Sequence, residues 1–186
     1  MNESGTYLTG RGGKSGSGSS GCRLRFGAGI IFAFLLVSGI VVWWLSRPCL
    51  YIVSENHVFY DAPVAQNARF STRFIHSVQK TPVLENFIVD VETVEIILDS
   101  TRYESFNAGL PFLQSDGVFI RKDGYFLIEN MNRRFPSVVM RTGMGTKLTL
   151  FVDDREIRFY ETIPDGSAVK FYIAPYYERF IREGRD

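Results

Sequence analysis

Cysteine and histidine are nearly missing from this chain, at two each in 186 residues. That scarcity argues against a protein-built zinc centre, which takes three or four side-chain ligands. Cys22 and Cys49 flank an apolar run and cannot pair within one chain if that run crosses a bilayer. Ser46-Arg47-Pro48 is the wrong lead-in for lipid attachment at Cys49, so both thiols read as inert. A surplus of charge is missing too: 21 Lys and Arg against 20 Asp and Glu leave a net charge of +1. Phosphate backbones are bound by clustered basic side chains, so nucleic acid is not expected as a partner. No Gly-x-Ser-x-Gly elbow occurs. Gly13-Lys14-Ser15 looks like the end of a phosphate loop. Leu8 stands where that motif needs its first glycine, and the flanking strand and helix are missing.

The charge that is present is unevenly placed. Arg11, Lys14, Arg23 and Arg25 oppose only Glu3 in residues 1–25, whereas the chain beyond Leu50 is slightly acidic. Phe26 to Leu45 reads FGAGIIFAFLLVSGIVVWWL, an uncharged run of roughly the 20 residues a helix needs to cross a bilayer core. Trp43 and Trp44 close the run, where amphipathic rings favour the interface. Arg23 and Arg25 outweigh Arg47, which puts the N-terminus in the cytoplasm and the remainder outside, periplasmic or extracellular. A cleaved signal peptide would have a shorter core, roughly 7–15 residues, and a small-x-small site that Ser46-Arg47-Pro48 does not supply. The expected organisation is a flexible cytoplasmic tail over 1–25, a single-pass anchor in the cytoplasmic membrane over 26–46, and an exported β domain over 50–186. The stretch Gly10 to Gly21, GRGGKSGSGSSG, cannot bury a core.

Beyond Pro48 the pattern turns to short β-rich runs. Leu50–Val53 and His57–Tyr60 flank Ser54-Glu55-Asn56, and Phe70 to Phe74 alternate apolar with polar. Val83–Val89, Val94–Leu98, Val118–Arg121, Tyr125–Ile128, Val138–Arg141, Lys147–Val152, Glu156–Glu161 and Ala168–Ile173 follow. Strands spaced roughly 8–12 residues apart imply an all-β fold, an antiparallel sandwich or barrel. Phe70, Phe74, Phe87, Phe126, Phe151, Phe159 and Phe171 are the expected core. Pro175 to Gly184 reads as a short terminal helix burying Tyr176, Phe180 and Ile181.

Pairing residues 70–77 with 83–90 so that Phe74 faces Phe87 sets His76 opposite Glu85. Their Cβ atoms would then lie about 4.5–5.5 Å apart on the core face, near a Gln79–Pro82 turn. Such a pair is either a clasp that pins hairpin register or a binding site. Two ligands are too few for zinc, and nothing places His57 near enough to add a third. Ser77 points to the face opposite His76, which weakens any nucleophilic role. A second run, Ser105 to Pro111, is a small-residue loop. Ala108 and Gly109 allow close backbone approach and Pro111 fixes the exit. Backbone N–H groups there could meet an anion, with Lys80, Arg102 and Arg121 adding charge, or the loop is simply a tight turn. The candidate ligand or partner residues are thus His76, Ser77, Lys80, Glu85, Ser105, Asn107, Ala108, Gly109 and Pro111. None is given a catalytic or metal role, and no cofactor is expected.

Three elements carry a family resemblance: His76-Ser77-Val78, the Lys80-Thr81-Pro82-Val83 turn followed by Glu85, and Ala108-Gly109-Leu110-Pro111. Together they resemble the exported domain-of-unknown-function family commonly encoded beside TAXI-type TRAP transporters, membrane systems that import organic acids. The resemblance covers Leu50 to Ile173. It implies a transporter neighbourhood and no activity, with TRAP membrane or solute-binding subunits joining the lipid bilayer as partners. The expectation is a non-enzymatic, membrane-tethered accessory or interaction module. The alternative is a tethered small-ligand sensor or hydrolase, with His76 as acid/base and Glu85 orienting it.

Overall fold

Alternating apolar and polar side chains build twelve strands among the described residues of the computed structural model, which are 20–55, 57–104, 117–122 and 124–183. Side chains are described from residue 29, apart from 30, 182 and 183. The strands are β1 (Pro48–Ser54), β2 (His57–Pro63), β3 (Arg69–Ile75), β4 (Pro82–Asp90), β5 (Glu95–Tyr103) and β6 (Val118–Lys122). They continue as β7 (Tyr125–Glu129), β8 (Arg133–Phe135), β9 (Ser137–Arg141), β10 (Thr149–Val152), β11 (Arg155–Arg158) and β12 (Ala168–Pro175). A four-stranded sheet runs β2-β1-β12-β9, and an eight-stranded sheet runs β11-β10-β3-β4-β5-β7-β6 with β8 also on β5. All strand pairs are antiparallel. The result is the expected all-β fold in its sandwich form.

The inward positions of both sheets form one apolar cluster. Leu50 and Ile52 of β1 and Val169, Phe171 and Ile173 of β12 meet Phe70, Val83, Phe87 and Leu150 of the larger sheet. Phe70 stacks on Phe87 at 4.9 Å between ring centres and on Phe171 of the other sheet at 5.8 Å. Each such ring stabilises the sandwich by roughly 1.5–3 kcal/mol through burial. Five of the seven expected core phenylalanines are buried and Phe74 is partly so. Phe151 is the exception. The two-residue period of β10 gives its inward positions to Leu150 and Val152, leaving Phe151 outside with the Arg73 guanidinium 5.2 Å above its ring. Two smaller departures concern the ends of elements. Phe159–Glu161 is a 3-10 turn and not the end of a strand, and the three-residue β8 is too short to leave a periodic trace.

Two helices complete the described chain: α1 (Ser20–Leu45) and α2 (Glu178–Glu183). The chain divides into two units between Val42 and Trp43. In the first, Ile31, Phe32, Phe34, Leu35, Leu36 and Val37 are all exposed. At 100° per residue they point in every direction, so the stretch Ile31–Val37 has no polar face. Among the described residues no helix is long and apolar enough to cross a membrane. Those side chains begin partway along the uncharged run Phe26–Leu45.

In the second unit α2 forms as expected but buries little. Tyr176 packs on an outer cluster of Cys49, Tyr51 and Val53, whereas Phe180 and Ile181 remain 54% and 45% exposed. Arg179 of α2 forms an ion pair with Asp61 of β2 at 3.2 Å.

Candidate functional site

The β3–β4 hairpin decides the fate of the His76–Glu85 pair. Its register sets Phe70 against Phe87, Thr72 against Glu85 and Phe74 against Val83. The expected pairing of Phe74 with Phe87 is therefore displaced by four residues, and His76 does not oppose Glu85. An even displacement keeps every residue on its own face, so hydrophobic alternation cannot reveal it. The turn sets the register. His76 N–H donates to the Thr81 carbonyl at 2.9 Å, and Lys80 N–H to the His76 carbonyl at 2.9 Å. Lys80 takes φ 56°, and His76 Nδ1 accepts from the Val78 and Gln79 N–H groups, both at 3.3 Å. The imidazole is thus a cap on its own six-residue turn.

The remaining candidates disperse. His76 and Ser77 border a recess of about 330 Å³ with Met140 and Arg141 of β9, and Lys80 is exposed on the turn. His57 lies in the other sheet with its ring edge-on to Phe59 at 4.8 Å. Arg102 and Arg121 pair with Leu127 and Phe126, adjacent residues of β7, and so belong to opposite faces. Ser105, Asn107, Ala108, Gly109 and Pro111 lie outside the described residues.

Glu85 itself stays where its alternation with Val83, Phe87 and Val89 puts it, on the inner face. The row across the sheet reads Leu150, Thr72, Glu85, Thr101, Ile128. Thr72 and Thr101 are buried, and neither hydroxyl has a hydrogen-bond partner. Glu85 is partly buried, and burial pushes its carboxyl up to about 7. Buried polar groups are nearly always paired, so three uncompensated oxygen-bearing side chains in one row need a reason. Near neutral pH this carboxyl can both donate and accept, and the two hydroxyls offer further lone pairs and protons. The row suits a small hydrogen-bonding ligand or ordered water. Beside Glu85 the row offers only threonine hydroxyls and apolar side chains.

A third arrangement lies on the outer face of the same sheet. Arg73, Leu84 and Arg102 occupy one row across β3, β4 and β5. Together with Pro82, Glu104 and Phe151 they line a recess of about 210 Å³. The Arg102 guanidinium sits 4.6 Å over the Tyr125 ring. Sequence reasoning identified Glu85 and Arg102 but missed Thr72, Thr101 and Arg73. The signal for the threonines was available only through the correct register.

Residues 70–159 match the model of a family described as a domain of unknown function (DUF1850). The matched span runs from β3 through β11 and contains Glu85, both threonines and both arginines, while β1, β2 and β12 fall outside it. No curated protein and no solved structure matches the chain.

Proposed function

We propose that this chain is a non-enzymatic accessory or interaction module, tethered in the cytoplasmic membrane with its sandwich outside and working with a TAXI-type TRAP transporter for organic acids. The observation that carries the tether is α1, whose apolar side chains Ile31, Phe32, Phe34, Leu35, Leu36 and Val37 are exposed all round. Such a helix is stable only when surrounded by protein or lipid. The uncharged run Phe26–Leu45 supplies the length, and Arg23 and Arg25 against Arg47 supply the orientation. The transporter assignment rests on the resemblance of the His76–Glu85 and Ala108–Pro111 segments. Against the hydrolase alternative, His76 spends its Nδ1 lone pair on its own turn and is not opposite Glu85.

Two experiments test the reading. Protease added to intact spheroplasts should digest residues 50–186 and spare a tag at the N-terminus; protection of the sandwich overturns the topology. Pull-down of the full chain from detergent-solubilised membranes should recover transporter subunits, and their absence after cross-linking removes the transporter assignment. A second reading, a small-ligand sensor, is favoured by the uncompensated Thr72–Glu85–Thr101 row. It requires a ligand whose stabilising effect on the chain disappears in Glu85→Gln.

A further inference from the structure

We infer that the C-terminal segment Tyr177–Ile181 is a second membrane contact, lying in the headgroup region of the bilayer beside Trp43 and Trp44. The inference rests on the tether proposed above and adds a surface to it. The backbone ties are local and specific. Tyr176 N–H donates to the Arg47 carbonyl at 2.9 Å and Tyr177 N–H to the Leu45 carbonyl at 3.1 Å. Tyr51 Oη lies 3.2 Å from the carbonyls of Pro175 and Tyr176 and donates to them. The Tyr176 ring meets the Trp44 ring edge-on at 4.6 Å and the Phe180 ring at 5.8 Å. Residues 176–180 are thereby fixed beside Trp44, Leu45 and Arg47.

What is presented there is apolar and uncovered. Trp43, Trp44, Tyr177, Phe180 and Ile181 are 62%, 46%, 44%, 54% and 45% exposed. A six-residue helix does not stand alone in water. Here Arg179 pairs with Asp61 of β2 at 3.2 Å, while Phe180 and Ile181 stay about half exposed. Contiguous exposed aromatic and aliphatic side chains mark a contact surface. Tryptophan and tyrosine together, at the end of an uncharged run and with Arg47 over the Trp43 ring at 4.3 Å, match the chemistry of the water–lipid boundary. Continuity with the run chooses lipid over a second copy or another protein as the occupant.

The test uses the full chain reconstituted in phosphatidylcholine nanodiscs that carry brominated acyl chains, which quench tryptophan on contact. The chain contains only Trp43 and Trp44, so their quenching reports the tether by itself. In a Trp43→Phe, Trp44→Phe background, Phe180→Trp and, separately, Ile181→Trp place a single probe on α2 at positions already exposed. The expected result is a blue-shifted emission from either probe, quenched by a fraction comparable to Trp43 and Trp44 and most strongly by bromines near the headgroups. Unquenched probes at positions 180 and 181, with Trp43 and Trp44 quenched, overturn the second contact and leave the tether standing. Blue-shifted but unquenched probes also overturn it, in favour of a protein occupant. Loss of quenching at all positions removes the tether and this inference together.

Discussion

Glu85 and Asp90 are two carboxyls of the same strand that the fold treats in opposite ways. Asp90, at the end of β4, accepts from Gln66 Nε2 at 3.0 Å, Arg134 at 2.8 Å, and the N–H groups of Glu92 and Thr93 at 3.2 and 3.4 Å. The Arg134 guanidinium, then Gln66, holds its carboxyl well below the usual carboxylate range. Glu85, in mid-strand, has two threonines as neighbours and no ion pair among the described residues, and burial pushes it up to about 7. The comparison teaches where to look for function. A fully partnered carboxylate closes a turn and explains itself. A carboxyl that burial destabilises, with no compensating bond, is a cost that stability does not account for.

Titration puts the contrast on one curve. Glu85 has a folded value above its unfolded 4.5, so folding binds a proton and stability falls as pH rises from about 4.5 to about 7. Asp90 has a folded value below its unfolded 3.8, so its contribution is present above that pH and is lost as pH falls beneath it. Urea melts across pH should therefore peak between the two windows. Asp90→Ala should cause a larger loss than any change at Glu85, because it removes at once an acceptor for Gln66, for Arg134 and for two turn N–H groups. A loss smaller than the effect of changing Glu85 would void the contrast. Glu85→Gln should stabilise the chain by about 3 kcal/mol at pH 8 and leave it unchanged at pH 4. Equal effects at both pH values would mean that Glu85 is ionised and partnered.

Smaller changes sharpen the same comparison. Thr72→Val and Thr101→Val remove unpaired buried hydroxyls at constant shape, and each should stabilise by about 1 kcal/mol in denaturant melts. Destabilisation of that size would show that the hydroxyls hold a group in solution. His76→Ala should have the smallest effect, under about 1 kcal/mol, since its two long bonds come from turn N–H groups, one exposed and one partly buried, that water can reach. A near-zero coupling between His76→Ala and Glu85→Gln in a double-mutant cycle is expected, because the register keeps the two apart.

Much of the sandwich was legible in the alternation of its strands. Phe70, Phe87, Phe126, Phe159 and Phe171 declare their faces, and so does Glu85 among Val83, Phe87 and Val89. Register was not legible, because alternation has a period of two and tolerates any even displacement. The missing information lay in the His76–Thr81 turn, in the left-handed Lys80 and the imidazole cap, which are properties of three-dimensional closure. Phe151 was misplaced for a related reason: Leu148–Val152 is apolar at almost every position, and nothing in such a run says which parity faces in. Phe180 and Ile181 were assigned to the core because an apolar side chain in a helix normally seeks one.

Among the described residues the first strand, β1, and the last, β12, are hydrogen-bonded neighbours in the middle of the smaller sheet, Pro48 beside Pro175 and Val53 beside Lys170. A ribosome adding about 5–20 residues per second needs on the order of ten seconds to span that separation. Throughout the interval β1 carries Leu50 and Ile52 with one ladder unfilled, and the sheet has no centre. The smaller sheet can thus close only late in synthesis, once β12 has been made.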